Sequence, residues 1–108
     1  METINWSKAL EWVNLTKNAL IIDVRTSGEL PEMQFPGIVQ IPKPELEKHP
    51  ERIASVEHLF LFCRSGIRSA ETAAFLKTTF PEKRIFSIEG GILDPSSPLN
   101  SAAYGAKA

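Results

Sequence analysis

Phe60-Leu61-Phe62-Cys63-Arg64-Ser65-Gly66-Ile67-Arg68-Ser69-Ala70 is the stretch around which the rest of the chain is organised. A short apolar run ends in the chain's single cysteine, and a loop with one glycine, two serines and two arginines follows. A helical pattern opens at about Arg68. A cysteine at the carboxyl end of a buried strand, ahead of a loop that opens a helix, stands where α/β proteins gather anions. The loop's backbone N–H groups can converge on one centre. With the helix dipole they favour the thiolate and lower the thiol pKa below its free value of ~8.5. A lone cysteine at a strand end also serves as a small buried hydrophobe. Two arginines around Ser65-Gly66 have little use in a structural loop and direct use at an anion site. The stretch therefore reads as a nucleophile, Cys63, in an anion-binding loop.

The 108 residues make one domain, and a chain of that size buries ~65% of its unfolded surface. A hydrophobic content of 43% supports a real core, and a net charge of −1 gives no global field toward nucleic acid or an acidic membrane. One cysteine excludes an internal disulfide, an internal resolving thiol and a multi-cysteine metal site. The opening Met1-Glu2-Thr3-Ile4-Asn5-Trp6 lacks the basic-then-apolar pattern of a signal peptide. No apolar run approaches ~18 residues. The expectation is a soluble, cytoplasmic protein with neither a nucleic-acid nor a membrane partner.

Working outward from Cys63, Leu59-Phe60-Leu61-Phe62 is the most apolar strand and is expected at the centre of the sheet. Ala19-Leu20-Ile21-Ile22-Asp23-Val24 is apolar without alternation, which suits a parallel strand covered on both faces. Asp23 is then a partly buried carboxylate in need of donors. Arg25 is expected to pair with Glu29. Before this strand, Ile4 suits a very short first strand. Trp6, Ala9, Leu10 and Val13 form a helical stripe, capped by Asn5 or Ser7. Both tryptophans read as core. Thr26 to Pro36 reads as loop, and Ile38-Val39-Gln40-Ile41 as a short strand stopped by Pro42. Pro44 and Pro50 open two short helical pieces, about 44–48 and 50–55. His49 and His58 lack metal-ligand company. After the central loop, Ala70, Ala73, Ala74 and Leu76 mark the expected buried face of a helix that ends before Pro81. Ile85-Phe86-Ser87-Ile88 is the last strand, and Gly90-Gly91 allows a sharp turn beside the loop. Alternating strand and helix patterns give an α/β domain with a sheet of four or five mostly parallel strands and helices on both faces. The domain is expected over 1–93, with a small, polar tail over 94–108 held by Leu99 and Tyr104 or left unordered.

Cys63-Arg64-Ser65-Gly66-Ile67-Arg68-Ser69 resembles the active-site loop of rhodanese-like sulfurtransferases. Ile22-Asp23-Val24-Arg25 resembles that family's strand-end Asp-Val-Arg. Phe35-Pro36-Gly37-Ile38-Val39-Gln40-Ile41-Pro42 resembles its Pro-Gly-Ala-x-x-Ile-Pro segment, and Glu89-Gly90-Gly91 the Gly-Gly after its last strand. The matches run in order over roughly residues 20 to 92. Two segments depart from the pattern. Gln34-Phe35 stands where the family carries a histidine before its Pro-Gly, and Ile92-Leu93-Asp94-Pro95 replaces the start of its final helix. The resemblance implies a single rhodanese-like domain that moves a sulfane sulfur through a persulfide on Cys63. Arg64, Ser65, Gly66, Ile67, Arg68 and Ser69 would bind the substrate, and Asp23 and Arg25 would support the site. The donor would be a small anion such as thiosulfate, a persulfide on another enzyme, or glutathione persulfide. The acceptor would be a thiol or cyanide. Neither cofactor nor metal is required.

Two rival readings differ in what the loop must hold. Cysteine-dependent phosphatases also use a strand–loop–helix cradle with cysteine and arginine, but with five residues between them. Here four, Arg64 to Ile67, separate Cys63 from Arg68. The shorter loop suits one large anionic atom better than a phosphoryl group. The other rival is a non-catalytic interaction or regulatory module on the same fold; inactive relatives usually lose the cysteine, which this chain retains.

Overall fold

The computed structural model describes residues 2–29 and 37–98. The apolar run His58–Phe62 forms β4, the middle strand of five. Its neighbours are β2 (Ala19–Asp23) and β5 (Arg84–Ile88). The outer positions go to β3 (Ile38–Gln40) beside β2 and β1 (Glu2–Ile4) beside β5. Every pairing is parallel, so the mostly parallel sheet expected is wholly parallel among the described residues. The register sets Phe62 beside Asp23 and Leu61 beside Ser87. Parallel strands bring their carboxyl ends to one edge, and Cys63 follows β4 at that edge, in the middle of the sheet.

The alternation of side chains along each strand divides the core in two. Leu59, Leu61 and Cys63 face α2 (Lys43–Lys48), a 3-10 turn over Pro50–Ile53, and α3 (Ile67–Thr79). Phe60 and Phe62 face α1 (Trp6–Leu15) on the other side. There Trp6 meets Phe62 at 5.1 Å between ring centroids, and Phe60 stacks on Phe86 at 5.6 Å. Asn5 caps α1 by accepting the Lys8 N–H at 2.8 Å. Trp6 is fully buried, and its indole N–H donates to the Gly91 carbonyl at 2.8 Å. Core packing on this face thereby fixes the turn that follows β5.

Three details differ from the pattern read along the chain. The buried face of α3 is Ser69, Thr72, Ala73 and Leu76, whereas Ala74 is exposed and Ala70 only partly covered. Apolar residues alone mislead here because two hydroxyls face inward, and the Thr72 hydroxyl donates back to the Arg68 carbonyl at 2.9 Å. The second helical piece is four residues of 3-10 helix rather than a longer turn. Lys83 is 5% exposed, since its ammonium closes that turn by donating to the carbonyls of Ala54 and Val56. The loop segment 30–36, with Gln34 and Phe35, and the tail from 99 onward, with Leu99 and Tyr104, lie outside the described residues. Residues 94–98 continue from a 3-10 turn over Gly91–Leu93, and Asp94 accepts the Ser96 N–H at 2.8 Å.

Asp23 and Arg25 are each 1% exposed and form a buried ion pair, with Arg25 Nη2 at 2.9 Å and Nε at 3.0 Å from the carboxylate oxygens. This corrects the expected Arg25–Glu29 pair: Arg25 turns inward, over the Phe62 ring at 5.9 Å. Backbone bonds run from this corner to both neighbouring strands. Val24 N–H donates to Phe62 O, and Ile41 N–H to Asp23 O, each at 3.0 Å. Removing one partner of a buried pair leaves a desolvated charge, so Asp23→Ala is expected to cost about 3–5 kcal/mol. The joint replacement Asp23→Leu with Arg25→Met removes both charges and is expected to cost much less. Urea unfolding of the three proteins checks this; a single mutant no less stable than the double would remove the pair from the account.

Candidate active site

Backbone conformation builds the site before any side chain does. Gly66 takes φ of 104°, in the left-handed region open to glycine, and this turns its N–H onto the Cys63 sulfur at 3.1 Å. The first turn of α3 adds the Ser69 N–H at 3.4 Å. The Ser69 hydroxyl lies 3.6 Å from the same sulfur. On the far side, Gly91, the first residue of the last turn, lies so close that a Cβ there would stand 2.1 Å from the Cys63 carbonyl oxygen. Its neighbours then satisfy the loop's carbonyls: Ile92 N–H donates to Cys63 O at 3.0 Å and Leu93 N–H to Arg64 O at 3.1 Å.

Cys63 is 1% exposed. Burial pushes its thiol pKa up. The Ser69 amide and hydroxyl and the amides of Gly66 and Ser65 outweigh that, and the net displacement is downward from the ordinary value. A ring of loop amides converging on one centre is the expectation from the sequence. Around the sulfur itself it comes from Ser65, Gly66 and Ser69, so the first turn of the helix takes part.

The two arginines part company. Arg68 reaches back to Glu29 in a two-pronged pair, at 2.6 Å and 3.0 Å. Thr26 completes the carboxylate's shell with its N–H at 2.7 Å and its hydroxyl. These donors, Arg68 first, hold Glu29 well below the usual carboxylate range, and Glu29 in turn strengthens Arg68's hold on its proton. A depressed carboxylate pKa stabilises the fold above its unfolded pKa, and that contribution is lost only as pH falls through the lowered folded value. Both side chains are about a third or a quarter exposed (34% and 26%), so the pair is worth little as stability. Its effect on the site is charge: Arg68 arrives already neutralised. Arg64 is exposed and forms no ion pair among the described residues. Ser65 and Ile67 are exposed at the rim, with Ile67 at 66%. Asp23 and Arg25 sit behind the site, bonded to each other rather than to the sulfur.

Two contacts of the site are not legible in the sequence: Glu29 pairs with Arg68 rather than with Arg25, and Ser87 meets Ser69. Glu29 lies in a polar loop 39 residues from Arg68, and only the bond itself identifies it. Ser87 is the single hydroxyl in the strand Arg84–Ile88 and is 2% exposed; its oxygen lies 2.7 Å from that of Ser69. A polar residue within an otherwise apolar buried strand was the available signal.

A parallel α/β domain with a thiolate cradle at the carboxyl edge of its central strand is the class that fold and site define. The model of the rhodanese-like domain matches residues 7–94, and this chain belongs to that family. It is 28% identical over 78 residues to a sulfurtransferase of Allochromatium vinosum, covering 72% of each chain. It is 31% identical over 74 residues to a putative sulfur carrier protein of Bacillus subtilis, covering 68% of this chain and 40% of that one. Among solved structures, a rhodanese-related protein of Thermoplasma volcanium superposes with a TM-score of 0.68 at 25% identity, over 91% of this chain and 96% of that one. A human single-domain sulfurtransferase gives 0.67 at 20% identity, over 86% and 94%. The chain spans only 15% of a further match, an NAD-dependent persulfide reductase from A. fulgidus.

Because dipoles rather than a neighbouring base lower the thiol pKa, iodoacetamide should alkylate Cys63 with a pH midpoint clearly below ~8.5. Gly66→Ala, which cannot hold φ of 104° without strain, should move that midpoint up. A wild-type midpoint at or above the free-thiol value would remove the cradle.

Proposed function

We propose that this chain transfers sulfane sulfur, with Cys63 as the carrier. The observation that carries this is the buried sulfur at the focus of the Gly66 and Ser69 amides, 3.1 Å and 3.4 Å away. Donors fixed around the place where charge gathers need no reorganisation when it arrives. In the first half-reaction the Cys63 thiolate attacks the sulfane sulfur of the donor. With thiosulfate, a sulfur–sulfur bond forms, the donor's own sulfur–sulfur bond breaks, and sulfite leaves with the electron pair. In the second, a thiolate or cyanide attacks the outer sulfur, and the Cys63 thiolate leaves. Electrons balance without cofactor or metal.

The loop Arg64 to Ser69 is the proposed substrate-binding segment, and Arg64 is its recognition charge because Arg68 is held by Glu29. Asp23 and Arg25 fix the strand end from which the loop departs. A single thiol working as a carrier suits a reducing compartment such as the cytoplasm. The loop's four intervening residues support a cradle for one sulfur atom over the wider ring of a phosphatase. With no second cysteine, the persulfide cannot collapse into an internal disulfide and waits for an outside acceptor.

Thiosulfate should therefore add the mass of one sulfur atom to the purified protein, and cyanide or a dithiol should remove it. Cys63→Ser should do neither, and the unaltered protein should not hydrolyse aryl phosphates. Wild-type protein that keeps its original mass with thiosulfate and with glutathione persulfide defeats the carrier reading. Removing the counter-charge with Glu29→Gln should lower KM for thiosulfate by about two- to fivefold, and Arg64→Ala should raise it similarly, the scale of partly exposed charges. Unchanged KM in both variants would dispose of charge recognition at this rim.

A further inference from the structure

The Ser69 hydroxyl has one proton and three acceptors within reach. The Ser87 oxygen is at 2.7 Å, the Gly66 carbonyl at 3.2 Å, and the Cys63 sulfur at 3.6 Å. Ser87 decides among them. It is 2% exposed, and the Ser69 oxygen is the hydrogen-bond partner that its hydroxyl finds. If Ser69 donated to Ser87, the Ser87 proton would be buried without an acceptor. The satisfied arrangement has Ser87 donating to Ser69, which leaves the Ser69 proton for the carbonyl or the sulfur. While Cys63 is a thiol, its S–H can donate to Ser69 and the Ser69 proton rests on Gly66 O. When the thiol loses its proton to solvent, the sulfur becomes an anionic acceptor, stronger than a neutral carbonyl, and the Ser69 proton swings to it. A hydroxyl that is itself accepting a hydrogen bond donates more strongly.

We propose that Ser87 is a positioning residue for the sulfur chemistry: from β5 it orients the Ser69 hydroxyl so that the latter donates to the anionic sulfur of Cys63. The proposal rests on the carrier reading of Cys63 and adds a residue that touches neither the sulfur nor a donor molecule. The charged groups around the sulfur are Arg64 in the loop, Arg68 of α3 with Glu29, and Asp23 with Arg25 at the end of β2. β5 brings the Ser87 hydroxyl to Ser69 there. Changing Ser87 leaves every one of those charges in place, so a shift in thiol titration reports the hydroxyl.

The experiment measures the pH midpoint of Cys63 alkylation in wild type, Ser87→Ala, Ser87→Thr, Ser69→Ala and the Ser69→Ala/Ser87→Ala double variant. Thermal unfolding of each establishes that it is folded. Ser87→Ala should move the midpoint up by about half a pH unit, about threefold less thiolate below it. Ser87→Thr, which keeps the hydroxyl, should stay near wild type. In the Ser69→Ala background, Ser87→Ala should add nothing, because Ser87 acts only through Ser69. An unchanged midpoint in folded Ser87→Ala overturns the proposal. So does an equal shift with and without the Ser69 hydroxyl, which would mean a merely structural effect. Alkylation needs no sulfur donor, so failure here is separate from failure of the wild type to load sulfur.

Discussion

The bond from the Gly66 N–H to the Cys63 sulfur, 3.1 Å long, is the constraint on which the rest depends. A sulfur that is 1% exposed is poorly placed to hold charge, since burial favours the neutral thiol. Hydrogen bonds from Ser69, Gly66 and Ser65 reverse that preference, and they come from the chain itself. The loop must turn within a few residues, through a glycine at positive φ, into the start of a helix. The loop in turn needs a floor. That floor is the Gly91 backbone, pressed against the Cys63 carbonyl and held from below by the Trp6 indole. A tryptophan that belongs to the core by composition thus also sets the height of the loop around Cys63.

Charge is arranged by cancellation. Arg25 is answered by Asp23, and Arg68 by Glu29. The stabilisation of a thiolate therefore falls on amides and one hydroxyl, with the arginines contributing shape as much as charge. The bidentate Arg68–Glu29 pair fastens the first turn of α3 to the loop after β2, which is the turn that supplies the Ser69 amide. From the sequence both loop arginines are expected at an anion site. In the structure Arg68 is paired with Glu29, and Arg64 is exposed and forms no ion pair among the described residues.

The fold was legible because its signals are local and repeated. Continuous apolarity in 19–24, interrupted only by Asp23, and in 59–62, a helical stripe from Trp6 to Val13, and turn residues between them leave few arrangements besides a covered parallel sheet. The place of Cys63 was legible for the same reason, since strand, cysteine, glycine and helix stand in one stretch. The partners were not. Nothing in the sequence near Arg25 says that it folds inward to Asp23 rather than outward to Glu29. That choice is made by the Phe62 ring and the strand pairing around it, which are long-range facts. Thr72 and the role of Ser87 were hidden by the rule that buried faces are apolar, and Ser69, named with the loop, was not expected on the buried face of the helix. The inward hydroxyls satisfy one another and nearby carbonyls, so they sit in the core at little cost, and composition alone reads such positions as exposed.

These two kinds of residue divide the work of the site. Dipoles held by the backbone act in a buried place where solvent does not dilute them, and they favour negative charge on sulfur whatever molecule delivered it. Arg64 acts at an exposed rim, where its pull is screened over about 8–10 Å at ordinary ionic strength. On the proposed reading, recognition of a particular donor can thus change through the rim without disturbing the cradle. The reverse does not hold: an altered Gly66 or Gly91 moves the amides themselves, and no charge at the rim can replace donors aimed at the sulfur. Under the proposed function, the chemistry rests on the backbone and its glycines, and the choice of substrate on the side chains around them.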